Sequence, residues 1–361
     1  MTRWFKRKAN QTFGFASCHV KRATWRIIMK VLLYHGGIGI VRKSGLGRAY
    51  EHQKKALHLN HIQFTTNSRK KYDIAQFNTI FPDSMILAYL LKRKGKKIVY
   101  YAHSTMEDFR KSFIGSDLLA PLFKKWLILC YNRGDVIITP TEYSKKLLRS
   151  YGIEKPIYSI SNGIDLEFYN RNKGDRKKFR EKFGFTENDK VIMSVGHYIE
   201  RKGILDFVEL AKRMPEYKFI WFGYTNLHIV PIKVKKAIYN RTSNVILPGY
   251  VDKNEIRDAY AGSDLFLFLT YEETEGIVLL ESLAMKNPTV IRDIPIYDEL
   301  FTEGIAIYKG SNIKEFMNIV KRILKGEVHD LTKNGYELIK ERDLRKTGKE
   351  VKDIYKMILE E

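Results

Sequence analysis

Cysteine is almost missing from this chain: Cys18 and Cys130 are the only two in 361 residues. Two isolated thiols build neither a disulfide framework nor a thiolate metal site. With no apolar secretory core near the start, they point to a reducing, cytoplasmic setting. Long apolar runs are also lacking. The stretch Leu118–Tyr131 is interrupted by Pro121, Lys124 and Lys125, and nothing reaches the ~20 uninterrupted apolar residues of a membrane-spanning helix. The expected protein is soluble or bound to a surface. No internal repeat, low-complexity tract or His/Asp/Cys cluster with metal-ligand spacing is visible, so no metal is expected.

Acidic residues are scarce where basic ones crowd. The chain carries 64 Lys and Arg against 41 Asp and Glu, a formal charge of +23. Residues 1–28 hold 7 basic and no acidic side chains, residues 29–168 hold 23 against 11, and residues 169–361 hold 34 against 30. Almost all of the excess therefore lies in the first half. Such asymmetry suggests that this half faces something anionic: nucleic acid, a phosphorylated substrate or an anionic membrane.

From Lys30 onward, short β-type runs alternate with helical stretches. The runs are Val31–Tyr34, Asp73–Phe77, Lys97–Ala102, Asp135–Thr139 and Ile157–Ser161, then Val191–Val195, Phe219–Phe222, Val245–Leu247, Leu265–Leu269 and Thr289–Ile291. Alternation of this kind builds parallel sheets covered by helices. The polar stretch Asn170–Lys178 divides the runs into two sets, which predicts an α/β protein of two Rossmann-like domains. Ligands of such sheets sit beyond the carboxyl ends of the strands. After Ile305–Tyr308 the pattern is helical to Glu361. Residues 1–28 fit nothing in this scheme. They read as an extension upstream of a start at Met29 or as a basic membrane-contact arm, and are expected to be dispensable for chemistry.

Three segments carry chemistry. YEETEGIVLLESLA (271–284) follows a buried strand and opens a helix near Gly276, whose first N–H groups can meet a phosphate or a sugar hydroxyl. Glu273 and Glu281 could accept hydrogen bonds from two ends of one ligand; spacing alone equally allows a plain helix with carboxylates in its first turns. SVGHYIERKG (194–203) puts Arg201 and Lys202 at the mouth of a strand, where cations can neutralise a diphosphate leaving group. KSGLGRA (43–49) follows the first strand, and its glycines permit close approach of backbone to a ligand.

In this order and spacing the segments resemble the retaining glycosyltransferases of family 4, which have the GT-B fold: two Rossmann-like domains facing a cleft, with C-terminal helices. The Glu273–Glu281 pair is similar to the family's E-x7-E signature, with Glu275 where an aromatic residue is usual. SNGIDLEF (161–168) resembles the passage between domains, and PGYV (248–251) the loop that meets the nucleobase. The resemblance implies an acceptor-binding domain at 29–168, a nucleotide-sugar domain at 169–340 and a last helix, 341–361, returning to the first domain. It implies that Glu273 contacts the donor hexose, Glu281 the ribose, and the backbone of Gly276, Ile277 and Val278 the sugar and diphosphate. Gly45, Gly47, Tyr250 and Val251 would complete the donor site. Lys202, helped by Arg201, would bind the diphosphate; His197 stands where an arginine is common. His103, at the end of its strand, would touch the donor sugar. UDP-sugar is then a co-substrate and no cofactor is implied.

The acceptor half is most similar in wording to bacterial diglycosyldiacylglycerol synthases. That similarity implies transfer of a hexose from UDP-glucose or UDP-galactose to a monoglucosyl-diacylglycerol, in glycolipid (lipoteichoic acid anchor) synthesis, on the inner face of the membrane. Ser116–Arg133 and Met85–Lys97 set basic side chains against apolar ones, as interfacial helices do. Lys124, Lys125 and Trp126 are the expected membrane contacts. A capsule or other polysaccharide acceptor would use the same donor residues. A nucleic-acid partner is not expected, because the basic residues lack the aromatic interleaving of single-strand binders.

Overall fold

The computed structural model describes residues 29–37, 39 and 42–360. The expectations placed on residues 1–28, Cys18 among them, lie outside the described residues.

The chain forms two six-stranded sheets in which every neighbouring pair is parallel. The first contains β1 (Lys30–Tyr34), β2 (Gln63–Thr65), β3 (Ile74–Phe77), β4 (Lys97–Tyr101), β5 (Val136–Thr139) and β6 (Ile157–Ser159), in the order β2-β1-β3-β4-β5-β6. The second contains β7 (Val191–Val195), β8 (Lys218–Phe222), β9 (Val245–Gly249), β10 (Leu265–Phe268), β11 (Thr289–Arg292) and β12 (Tyr308–Gly310), in the order β12-β11-β10-β7-β8-β9. Strands such as Val136–Thr139 and Leu265–Phe268 are buried at every position, the mark of sheets covered on both faces. In each sheet the order reverses beside the strand that begins it, and ligand crevices open at such switch points.

Ten of the strands coincide with the apolar runs to within a few residues. β2 has only three residues, one of them exposed, and offers no apolar run to read. β12 begins only at Tyr308, where the run Ile305–Tyr308 ends. The polar stretch Asn170–Lys178 is not a bare linker: Asp175 caps the helix Arg176–Phe183 by accepting from the Lys178 amide at 2.9 Å.

Each sheet has its own apolar core, and the last helix, Leu344–Glu360, packs on the first. Its Val351, Ile354, Tyr355 and Ile358 share a cluster with Val31, Leu33 and Leu57. Gly348 makes the approach possible, because a Cβ there would lie 2.6 Å from the Ala56 carbonyl oxygen. The chain passes between the sheets twice, and the two passages run side by side. Ile164 N–H donates to the Arg342 carbonyl at 2.8 Å, and Leu344 N–H donates to Ile164 at 3.2 Å. Gly163, at φ 75°, leaves no space for a Cβ against Leu344 and Thr347.

Candidate active site

The expected donor side is built on β10 and the helix that follows it, Ile277–Ala284. Gly276 caps that helix at φ 87°, and a Cβ would come within 2.8 Å of the Tyr297 hydroxyl. Both the left-handed backbone and the lack of space demand glycine. The helix is apolar and buried apart from Val278, so its opening amides at Ile277 and Val278 are held on a rigid support.

Glu281, in the same helix, has no exposed surface. Tyr260 donates to its Oε2 at 3.2 Å, while its Oε1 forms an ion pair with Arg48, from the helix Gly45–Leu59 of the first domain. The same guanidinium reaches the Tyr169 hydroxyl. Burial pulls the pKa of Arg48 down, but Glu281, together with Tyr169 and Tyr260, more than offsets this and holds it above its usual value.

Glu273 is buried and paired with Lys202. Lys202 sits in a single 3-10 turn, Glu200–Lys202, closed by Gly203 at φ 82°. A Cβ on Gly203 would strike the Leu269 carbonyl oxygen at 2.3 Å, so glycine lets this turn press against the end of β10. Burial lowers the pKa of Lys202, and the neighbouring Arg201 lowers it further, against the pull of Glu273 and Asp108. Arg201 itself faces the first domain. Its guanidinium pairs with Asp108 at 2.6 Å and donates to Ser112 at 3.2 Å and to the Glu272 carbonyl at 2.7 Å. These contacts tie the two domains together beside Lys202. His197 is half-buried and turned to the Tyr224 carbonyl, 2.8 Å from its Nδ1; burial holds it below its ordinary pKa.

On the opposite wall, His103 follows β4 and stacks on Tyr101 with ring centroids 4.5 Å apart. Burial pushes its pKa down to about 3, so the imidazole is neutral at physiological pH. A chain of hydrogen bonds sets its tautomer. Tyr355, in the last helix, donates to Gln76 Oε1. Gln76 Nε2 donates to Gln53 Oε1 at 2.9 Å. Gln53 therefore presents its amide nitrogen to His103 Nε2, at 3.3 Å. An amide N–H donates, so Nε2 accepts and Nδ1 carries the proton.

The glycines of KSGLGRA divide. Gly47 is required by packing, since a Cβ would lie 2.2 Å from the Arg42 carbonyl oxygen, whereas Gly45 faces open space. Tyr250 is exposed, with Lys43 from the first domain over its ring at 5.1 Å, and Val251 packs partly into the second core.

Several residues here escaped the sequence reading. Arg48 lay inside a quoted motif, but its partner is 233 positions away. Glu275, noted only as a departure, is buried and accepts from the Ser161 hydroxyl, from the Asn162 backbone amide at 3.0 Å and from its side-chain amide at 2.7 Å. A carboxylate replaces apolar packing here because the passage between domains offers it three donors. Glu272 accepts from Tyr143 of the first domain at 3.1 Å, and its Oε1 is buried with no partner among the described residues. Burial raises its pKa to about 7, with Asp108, Glu107 and Glu273 adding to the rise. No group of three or more His, Cys, Asp or Glu side chains among the described residues is arranged to hold a metal ion.

The three expected membrane contacts separate. Lys124 lies over the Tyr151 ring at 4.6 Å, and Trp126 donates inward to the Ile80 carbonyl at 2.7 Å. Lys125 alone is exposed. On the helix Ser116–Tyr131 it shares one outward stripe with Leu118, Leu122 and Leu129, spaced i, i+4, i+7 and i+11. Leu118 is 85% exposed and Leu122 66%. The neighbouring helix Pro82–Arg93 exposes Ile86, Tyr89 and Leu90, and Arg133 lies over the Tyr89 ring at 5.2 Å. No described helix is long and apolar enough to cross a membrane.

Two facing parallel-sheet domains with a lysine–carboxylate pair and a helix N-terminus at the crevice define a GT-B glycosyltransferase. The fold matches Anabaena Alr3699/HepE, solved in complex with UDP and glucose, with TM-score 0.73 and 16% identity over 91% of this chain and 99% of that one. Residues 175–338 match the family described as Glycosyl transferases group 1, and residues 55–168 match Glycosyltransferase Family 4. The processive diacylglycerol alpha-glucosyltransferase of Acholeplasma laidlawii is 40% identical over 92% of this chain and 99% of its own length. The alpha-galactosylglucosyldiacylglycerol synthase of Streptococcus pneumoniae is 27% identical over 73% of this chain and 72% of its own. The chain belongs to glycosyltransferase family 4.

Proposed function

We propose that this enzyme transfers a hexose, with retention, from UDP-glucose or UDP-galactose to monoglucosyl-diacylglycerol at the inner surface of the membrane. The observation that carries the proposal is the full-length similarity to a diacylglycerol glucosyltransferase. The exposed leucine stripe with Lys125, on the domain assigned to the acceptor, supports it.

In this reading residues 29–168, with the last helix 341–361, handle the acceptor, and residues 169–340 handle the donor. Glu273 takes hydroxyls of the hexose, and Glu281 takes those of the ribose. The amides of Gly276, Ile277 and Val278 face the sugar and diphosphate. Gly45 and Gly47 flank the phosphates, His197 lies at the edge of the diphosphate site, and Tyr250 and Val251 flank the base. As the bond between the anomeric carbon and the phosphate oxygen breaks, its electron pair leaves on UDP. Lys202, held in a water-poor turn, stabilises that charge. The acceptor oxygen bonds to the anomeric carbon on the face UDP leaves, and its proton passes to the departing phosphate oxygen. Neutral His103 offers Nδ1–H to a donor oxygen.

The test is incubation of the full chain with labelled UDP-glucose and UDP-galactose on vesicles carrying diacylglycerol or monoglucosyl-diacylglycerol. Label should enter a diglycosyl lipid. Label found only in a water-soluble polysaccharide would overturn the acceptor assignment and keep the donor site.

A further inference from the structure

The helix Ile232–Tyr239 of the second domain has a face that its own core does not use. Val234 and Ile238 are buried. Ile232, Lys235, Lys236 and Tyr239 fall on the opposite side, within about 100° of arc at 100° per residue. Ile232 is 65% exposed and Tyr239 70%. Such a face, aliphatic and aromatic with cations at its edge, has the composition of an interfacial helix. Lys233 stands apart from it, paired with Glu200 at 2.6 Å, and this pair fixes the helix against the turn that carries Lys202.

The face adjoins the acceptor domain. Ile114 N–H donates to the Ile229 carbonyl at 3.0 Å, and Phe113, Ile114 and Ile229 are all exposed around that contact. From Ile114 the first domain leads directly into Leu118 and Leu122. One apolar, basic-edged surface thus runs across the domain boundary, and charge complementarity selects its occupant: anionic lipid headgroups over a hydrocarbon surface.

We propose that the bilayer contact includes the second domain, with Ile232, Lys235, Lys236 and Tyr239 lying on anionic lipid beside the Phe113–Leu129 segment of the first. The inference rests on the lipid-acceptor reading above. Its consequence is that the membrane grips both walls of the cleft. Domain closure and membrane binding then stabilise each other.

The experiment is co-sedimentation of the full chain with vesicles of phosphatidylcholine and phosphatidylglycerol. It compares the parent with Ile232→Ser/Lys236→Ser/Tyr239→Ser, and separately with Leu118→Ser/Leu122→Ser. Each set should weaken binding about tenfold or more at 0.1 M salt, since each engaged cation and buried side chain contributes. If only the leucine set weakens binding, the second domain stays off the membrane and the proposal fails while the lipid reading stands. If neither does, the proposal fails, and the label-transfer experiment decides the lipid reading separately. A polarity-sensitive dye on Tyr239→Cys, in a Cys18→Ser background, supplies a readout independent of the triple change. It should shift to the blue on these vesicles; dye that stays unshifted while the protein is vesicle-bound overturns the proposal. A blue shift without vesicles that grows with protein concentration would mean that a second copy covers the face, and would equally overturn it.

Discussion

Arg48 and Glu281 come from different domains and meet as an ion pair in which the carboxylate is fully buried. Breaking such a pair from one side leaves a buried charge uncompensated, at a cost of about 3–5 kcal/mol. Arg48→Met and Glu281→Gln should therefore each lower stability, and the double variant should lose clearly less than the sum. Denaturant unfolding of the three variants measures the coupling, expected at about 1–3 kcal/mol. Strict additivity would show that the pair contributes nothing to holding the domains together.

Glu273→Gln and Lys202→Met should each reduce transfer by roughly 10²–10³-fold, the range for losing one preorganised charge at a reacting centre. Far-UV circular dichroism should remain that of the parent. Near-parental kinetics for both, in folded protein, would remove them from the donor site.

Glu272 gives a pH prediction. Its carboxyl titrates near 7 when folded and near 4.3 when unfolded, so the folded chain holds the proton more tightly. Its contribution is most favourable below pH 4.3 and is lost as pH rises to 7. Glu272→Gln should therefore raise the Tm relative to the parent above pH 7, and that gain should shrink between pH 7 and pH 4.5. A difference in Tm that is flat across this window contradicts the assignment.

His103 should carry its proton on Nδ1. Nitrogen-15 shifts of the imidazole report this directly, and Gln53→Leu should move them toward a mixture of tautomers. Tyr355→Phe acts one step further away, so it should give a smaller shift and a few-fold loss of transfer, with Tm little changed. An unaltered spectrum in both variants would disconnect the last helix from His103.

Vesicle binding should distinguish adjacent residues of one helix. Lys125→Ser should weaken it, and Lys124→Ser should not, because Lys124 is turned onto Tyr151. Equal effects would place the membrane elsewhere.

The sequence was most legible where one local rule acts. Runs such as Val191–Val195 and Leu265–Leu269 announce buried parallel strands because both faces must be apolar. Gly276 could be read as the residue at which the loop after a buried strand enters a helix. What stayed hidden depends on contacts between distant segments. Nothing near Arg48 reveals Glu281, and nothing near Gln53 reveals Gln76 or Tyr355. Lys124 and Lys125 read alike because a step of one residue turns the helix by 100°, and only the phase fixed by Ala120 and Leu127, both buried, tells which faces out.

The two side-by-side passages between the sheets, bonded at Ile164 with Arg342 and Leu344, behave like the knuckles of a single door hinge. A lone linker would let the halves slide, twist and separate. Two strands fastened at one point leave chiefly rotation about that point. Glu275 clamps the donor loop to Ser161 and Asn162, within a few residues of this pivot, where rotation displaces atoms least. Ile114 and Ile229 join the halves at a second place, through a backbone bond of 3.0 Å. Rotation about the pivot would have to break that bond, while the loop held by Glu275 would keep its place at the clamped end.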